Sequence, residues 1–304
     1  VFQDREGNTI LGTFGAGLIV LPNPSIQDFQ VDEKISSIEL AGNGHIFMGA
    51  EAGKVYEVNQ HNQVSLFRNN QVKNVEALHA IGSDHILIGE FDGILVKLDK
   101  SEEIRLSTSS VKDVFQLNDS EFLIATNIHG SHFDLNTLKL TSFDKLAKRH
   151  YCIGKNLATG AIYSGTASGL VMLSNNNDLI NLTIDGSPIL ATDIHFQDSL
   201  TYVATNNHGI LVFSDSILVN VIDKEAGLFS DQVNLIKWRD NKLYVATQAG
   251  FHVLSKELEF IQSVNRSEGL KAANIVDFLV RENKLWILAG QGIQILDLEE
   301  LSSF

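Results

Sequence analysis

Cysteine is almost absent from this chain of 304 residues: Cys152 stands alone. It cannot close an internal disulfide, no CxxC or Cys/His spacing suits a metal, and it reads as a small buried apolar residue. One cysteine fits the cytosol, and equally a periplasmic protein that is stable without bridges. No run of about 18 consecutive apolar residues occurs, so no segment reads as a membrane-crossing helix. The chain starts at Val1 without a methionine or a charged-then-apolar leader. It reads as a mature or trimmed chain in which a targeting signal would be invisible. Positive charge is also scarce: 23 Lys and Arg stand against 37 Asp and Glu, a net charge of −14. Such a surface repels phosphate backbones and anionic lipid, which argues against nucleic acid and direct membrane contact. Helical periodicity is nearly missing too, residues 144–149 being the best helical candidate. Catalytic signatures are missing: no G-x-S-x-G elbow, no H-E-x-x-H, no calcium loop. The expectation is a protein that is not an enzyme, with no metal and no cofactor.

What is present is one phrase, repeated. An apolar strand, a small residue, a polar tip and a glycine lead into a second apolar strand. The phrase reads Ile10-Leu-Gly-Thr-Phe-Gly-Ala-Gly-Leu18 near the start and Tyr163-Ser-Gly-Thr-Ala-Ser-Gly-Leu170 in the middle. The glycine that opens its second strand falls at 17, 53, 93, 130, 169, 209, 250 and 292. Eight copies at a spacing of about 40 residues are the period of a propeller blade. A third strand precedes most copies, as in Ile35-Ser-Ser-Ile-Glu-Leu40, Val72-Lys-Asn-Val-Glu-Ala-Leu78 and Val233-Asn-Leu-Ile-Lys-Trp238, and many alternate apolar with polar. Short polar turns such as Gly82-Ser-Asp84 follow, and a weaker fourth strand closes several units, as in Val64-Ser-Leu-Phe67.

The fold expected is all-β: a single β-propeller of four-stranded antiparallel blades over residues 1–304. Eight repeat motifs allow eight blades, or seven plus an extra repeat. The repeats run approximately 1–31, 32–70, 71–108, 109–145, 146–186, 187–228, 229–270 and 271–304. A small residue recurs four or five places before each marker glycine: Gly12, Gly49, Gly89, Ala125, Gly165, Ala204 and Ala246, with Leu288 departing. Close approach between neighbouring blades explains this better than a phosphate cradle, which needs its glycines in one strand-to-helix turn. The marker glycines are expected to take a positive φ.

The unit resembles the two-component regulator propeller repeat, and repeats 1 and 5 match it best. An aromatic ahead of the small residue, also a feature of that family, stands at Phe47, Tyr163, Tyr202, Tyr244 and Trp286. The resemblance implies an extracytoplasmic, periplasmic sensor region of a bacterial histidine kinase or a membrane-anchored regulator, often one that senses oligosaccharides. Members of that family commonly carry two seven-bladed propellers and an immunoglobulin-like domain, whereas this chain holds one propeller's worth of repeats.

The turn between second and third strands is expected at the mouth of the central channel. Its candidate ligand residues are Phe14, Glu51, Glu90, Phe91, Asp92, Asn127, His129, Asn206, Asn207 and His208, with Ser168, Gln248 and Gln291 at equivalent tips. Amides, carboxylates and aromatics suit hydrogen bonding and stacking on a sugar, although turn tips are polar in any protein. His129 and His208 share one slot two blades apart, but two ligands fall short of the three or four a metal site needs. The first functional expectation is a sensor domain that binds an oligosaccharide or other small ligand. The alternative is a scaffold for a protein partner or homodimer. The third is a propeller lyase or hydrolase, for which Glu51, Glu90, Asp92, His129 and His208 are the only recruits.

Overall fold

The computed structural model describes residues 1–3, 9–15, 17–21, 26–69, 74–82, 85–97, 103–107, 109–290 and 292–299. Val72, the turn residues Ser83 and Asp84, and Gln291 lie outside them. Seven four-stranded antiparallel sheets form among the described residues. Their inner strands are Ile35–Leu40, Val75–Ile81, Val111–Gln116, His150–Lys155, Ala191–Gln197, Val233–Arg239 and Ile275–Arg281. Each touches the next, and the seventh touches the first, so the strands close a ring. Blades 1 to 6 take their remaining three strands in sequence order. Blade 7 is built differently: Ile275–Arg281, Lys284–Ala289 and Gly292–Asp297 are completed by Ile26–Phe29 from the other end of the chain. Ile293 pairs Phe29, Leu296 pairs Ile26, and the Phe29 ring meets Trp286 at 4.8 Å between centroids.

The repeat count is therefore seven blades plus one extra repeat. The extra copy, in strands Phe2–Gln3, Thr9–Thr13 and Gly17–Leu21, forms a three-stranded sheet of its own. Its natural fourth strand, residues 26–29, has gone to blade 7. The helical candidate at 144–149 is one 3-10 turn, Asp144–Leu146. A second such turn, Arg266–Glu268, carries an Asn265/Glu268 capping box that the repeat pattern hid.

Burial is organised by joints between blades. Seven clusters of buried apolar residues occur among the described residues, one at each joint. The aromatics Phe47, Tyr163, Tyr202, Tyr244 and Trp286 are all buried there. The recurrent small residues do what close packing requires. A Cβ on Gly49 would sit 2.5 Å from Cγ1 of Val75, and one on Gly89 would sit 2.8 Å from Cγ1 of Val111. In each case the obstacle is the first residue of the next inner strand. Leu288, the departure, lies at the joint of blades 7 and 1, where it packs in one cluster with Ile35.

Six of the eight marker glycines have a positive φ: 17, 53, 169, 209, 250 and 292. Gly93 and Gly130 do not, which corrects the expectation for those two. At Gly93 the reason for glycine is space, since a Cβ would lie 2.7 Å from the carbonyl oxygen of Leu106. Threonine fixes many of the turns. Thr166, Thr205 and Thr247 each donate from Oγ1 to the carbonyl of the marker glycine at 2.8–2.9 Å, and each accepts a backbone N–H from within the turn at 2.9–3.1 Å.

Candidate functional site

Every inner strand carries a β-bulge after its first residue, so the second residue is skipped in the ladder to its neighbour. A bulge re-aims a side chain. Here several skipped side chains reach the carbonyl that starts the next inner strand. Ser36 donates to Val75 O at 2.6 Å, Thr192 to Val233 O at 2.6 Å, and Asn234 to Ile275 O at 2.8 Å.

The residue after the bulge is an aspartate in blades 3, 5 and 7. Each carboxylate clasps two inner strands. Asp113 accepts the N–H of Val114 at 2.8 Å and of Ile153 at 3.0 Å. Asp193 accepts from Ile194 at 2.8 Å and Ile236 at 2.9 Å. Asp277 accepts from Phe278 at 2.8 Å and Ile38 at 2.9 Å. Burial pushes the Asp113 carboxyl up to about 7, with the charge of Asp193 adding to it. Burial likewise pushes Asp193 up to about 6, against the pull of its two N–H donors.

Inside the ring runs a cavity of about 680 Å³. Its lining extends from the bulge residues Ser36, Glu76, Lys112 and Val276 to Trp238 and Arg239 at the other end of the inner strands. At mid-depth the fifth residue of each inner strand forms a tier: Glu39, His79, Phe115, Gly154, His195, Lys237 and Leu279. Glu39 stands 3.7 Å from His79, and burial raises its carboxyl above the ordinary range. Lys237 donates to Phe278 O at 2.8 Å and lies 3.5 Å from Asp277. Burial pulls its pKa down, but Asp277, Glu39 and Asp193 outweigh that and hold it above the usual lysine value. His195 is pulled down to about 4 by burial, with the Lys237 charge adding to it, so it is neutral. Neither of its ring nitrogens has a hydrogen-bond partner among the described residues. Trp238 Nε1 is buried and also without a partner. Blade 4 offers no side chain to the tier. A Cβ on Gly154 would meet the Phe196 ring at 2.6 Å and the Phe115 ring at 3.2 Å, and those rings close that side edge-to-face at 5.6 Å.

The turns between second and third strands lie at the end where the inner strands begin. The N–H groups of Glu51, Asn127 and Asn206 donate to the carbonyls of Lys34, Ser110 and Leu190, just ahead of those strands. The expected ligand residues fare differently there. Phe91, Asn206 and Asn207 are exposed, and His208 is half-buried. Glu51 pairs with Lys34 at 2.5 Å. Asn127 is half-buried with its Oδ1 unpartnered, and His129 Nδ1 meets Ser131 Oγ at 2.9 Å. Glu90 is fully buried between Arg68, at 2.7 Å, and Arg105, while Asp92 pairs with Arg105 at 3.1 Å. This network ties the outer strand of blade 1 to blade 2 and takes Glu90 away from any ligand on the face. Phe14 is fully exposed on the separate three-stranded sheet, which belongs to none of the seven blades. Among the described residues no three His, Cys, Asp or Glu side chains gather to hold a metal. The tier was missed because its members look like ordinary strand alternation. Aligning the inner strands by their first residue would have exposed a charged or imidazole group at one position in four of seven blades.

No family model matches the sequence, and no curated protein matches it. Solved structures match the fold. Two are described as extracellular domains of hybrid two-component systems, BT4673 and BT3049, from B. thetaiotaomicron. Both superpose with a TM-score of 0.72 at 16% identity. The match covers 89% of this chain with the first and 90% with the second. The chain spans only about two-fifths of their length, 39% and 42%. A computationally designed protein, Ika8, also matches, with a TM-score of 0.63 at 12% identity over 99% of its length. The likeness establishes the propeller fold, and the first two structures are of the kind that the sequence resemblance implied.

Proposed function

We propose that this chain is the extracytoplasmic, ligand-sensing propeller of a bacterial signalling protein, and that it binds a small ligand, of oligosaccharide class, along its axis. The observation that carries this reading is the axial cavity. At about 680 Å³ it is within the usual range of about 300–1,000 Å³ for small-molecule sites, and it mixes aromatic walls with a few convergent polar groups. The fold shared with extracellular domains of hybrid two-component systems supports the signalling role and the location outside the cytoplasm. The exposed tips Phe91, Asn206 and Asn207 stand at the end of the ring where such a ligand would enter. A thermal-shift screen against oligosaccharides tests the reading. Ligand at about 100 Kd adds roughly 2.7 kcal/mol to the folded state, which raises the melting temperature by several degrees. Silence across a broad panel would contradict it.

One observation favours a second reading, a scaffold for a protein partner. Phe91, Ile128, Tyr151 and Leu190 are exposed apolar residues of blades 2 to 5 at that same end of the ring. Large exposed apolar patches mark interfaces. Stabilisation by sugars together with a monodisperse monomer would count against this alternative.

A further inference from the structure

The three-stranded sheet of the extra repeat supplies no residue to the seven buried apolar clusters that hold the ring. In the ring, the second strand Ile46–Ala50 is buried along its whole length, because a blade lies on either side. Its counterpart in the extra repeat, Thr9–Thr13, is half-buried or exposed at every residue. The same phrase has therefore built the same hairpin with its faces left open. The register separates those faces. Phe2 pairs with Ile10 and Gly12 with Leu18, so Phe2, Ile10, Gly12 and Leu18 share one face. Gln3 pairs with Thr9, Leu11 with Ile19 and Thr13 with Gly17, which places these six on the other. The first face carries no polar side chain among these residues, and the second carries Gln3, Thr9 and Thr13. The apolar face is also the more open, with Leu18 73% and Phe2 64% exposed against 45% for Ile19.

A sheet with one apolar face is stable when that face is buried against another element, and an exposed apolar face marks a contact. Charge decides what kind of partner fits. Residues 7–27 hold no Asp, Glu, Lys or Arg, in a chain of net charge −14. A charged partner finds no counter-charge there. Two copies of this chain repel each other over most of their surface, and least where neither brings a charge. The same face on a second copy is uncharged, apolar and equal in size, so one two-fold axis covers both. We propose that two copies of this chain dimerise through these sheet faces, with Phe2, Ile10 and Leu18 of each packed against those of the other. Three short strands bury less than about 1,200 Å² in total, the size of weak, reversible contacts. This inference does not depend on the sensing function proposed above.

Sedimentation of the full chain, followed from low micromolar concentration to about 1 mM, tests it. The expected result is a reversible rise from monomer to dimer and no further. Added salt should strengthen the dimer, because it screens the repulsion between two acidic copies and leaves an apolar contact intact. Leu18→Glu buries a carboxylate in the contact and should weaken the dimer by about tenfold or more. Ile19→Glu, one residue on and on the opposite face, should leave the affinity within about threefold. Both variants should keep the wild-type melting temperature, since neither side chain belongs to a blade core. If Leu18→Glu lowers that temperature, Phe2→Glu carries the same test from another strand of the sheet. A chain that stays monomeric over the whole range overturns the inference and leaves the face to a different partner. A dimer that survives both Leu18→Glu and Phe2→Glu overturns it and puts the contact elsewhere. A dimer that Leu18→Glu and Ile19→Glu abolish equally overturns it in favour of the free edge of strand Gly17–Leu21, and a dimer that salt dissolves overturns its apolar character.

Discussion

The wall of the axial channel and the face of turns around it differ in how their polar groups are used. On the turn face, much of the chemistry that looks available is spent on structure. Threonine hydroxyls hold the turns, Glu51 pairs with Lys34, and Glu90 and Asp92 are held by arginines. On the channel wall Asp113, Asp193 and Asp277 are spent as well, on clasping blades, while His195 lines the enclosed volume without a hydrogen-bond partner among the described residues. Polarity alone does not mark a site. Polarity without a partner, inside an enclosed volume, does.

The largest effect expected from breaking this contrast is on the turn side. Arg68→Ala removes a buried partner of Glu90 and should cost about 3–5 kcal/mol, read from the denaturant midpoint. A loss under about 1 kcal/mol would mean that Glu90 is less committed to structure than its burial implies.

The second effect belongs to the channel wall and depends on pH. The folded-state pKa values of Asp113 and Asp193, about 7 and about 6, lie above the ordinary aspartate value. Protonation therefore favours the folded chain. That stability is fully present below about pH 4 and is lost as pH rises through about 6 to 7. From pH 5 to pH 8 these two groups should weaken the fold by about 4 kcal/mol in total, the larger share from Asp113. Asp113→Asn should flatten the melting-temperature profile over that window, and an unchanged profile would remove Asp113 from the account.

The smallest effect is expected at the exposed tips. Asn206→Ala and Asn207→Ala should each change stability by less than about 0.5 kcal/mol. Each should also leave ligand affinity within about twofold, measured by calorimetry. A tenfold loss of affinity at either position would shift the recognition point outward to the face.

Much of the ring was legible because its information is local. Marker glycines, threonines and small residues all act within one hairpin or against the next inner strand, so the phrase shows in sequence. Residues 26–29 pair with residues 293–296, across nearly the whole chain, and no local pattern announces that partner. The turn tips drew the eye because they adjoin the most regular glycines. The tier at Glu39, His79, His195 and Lys237 did not, because one polar residue in a strand is ordinary. Only closing the ring brings the four to one depth.

Hydrogen exchange followed with and without a bound oligosaccharide is the most direct test of where the ligand sits. The account expects slowed exchange in the inner strands 191–197 and 233–239, with the turns at 51, 91, 127 and 206–208 little changed. Protection confined to those turns, with both inner strands unaffected, would contradict it.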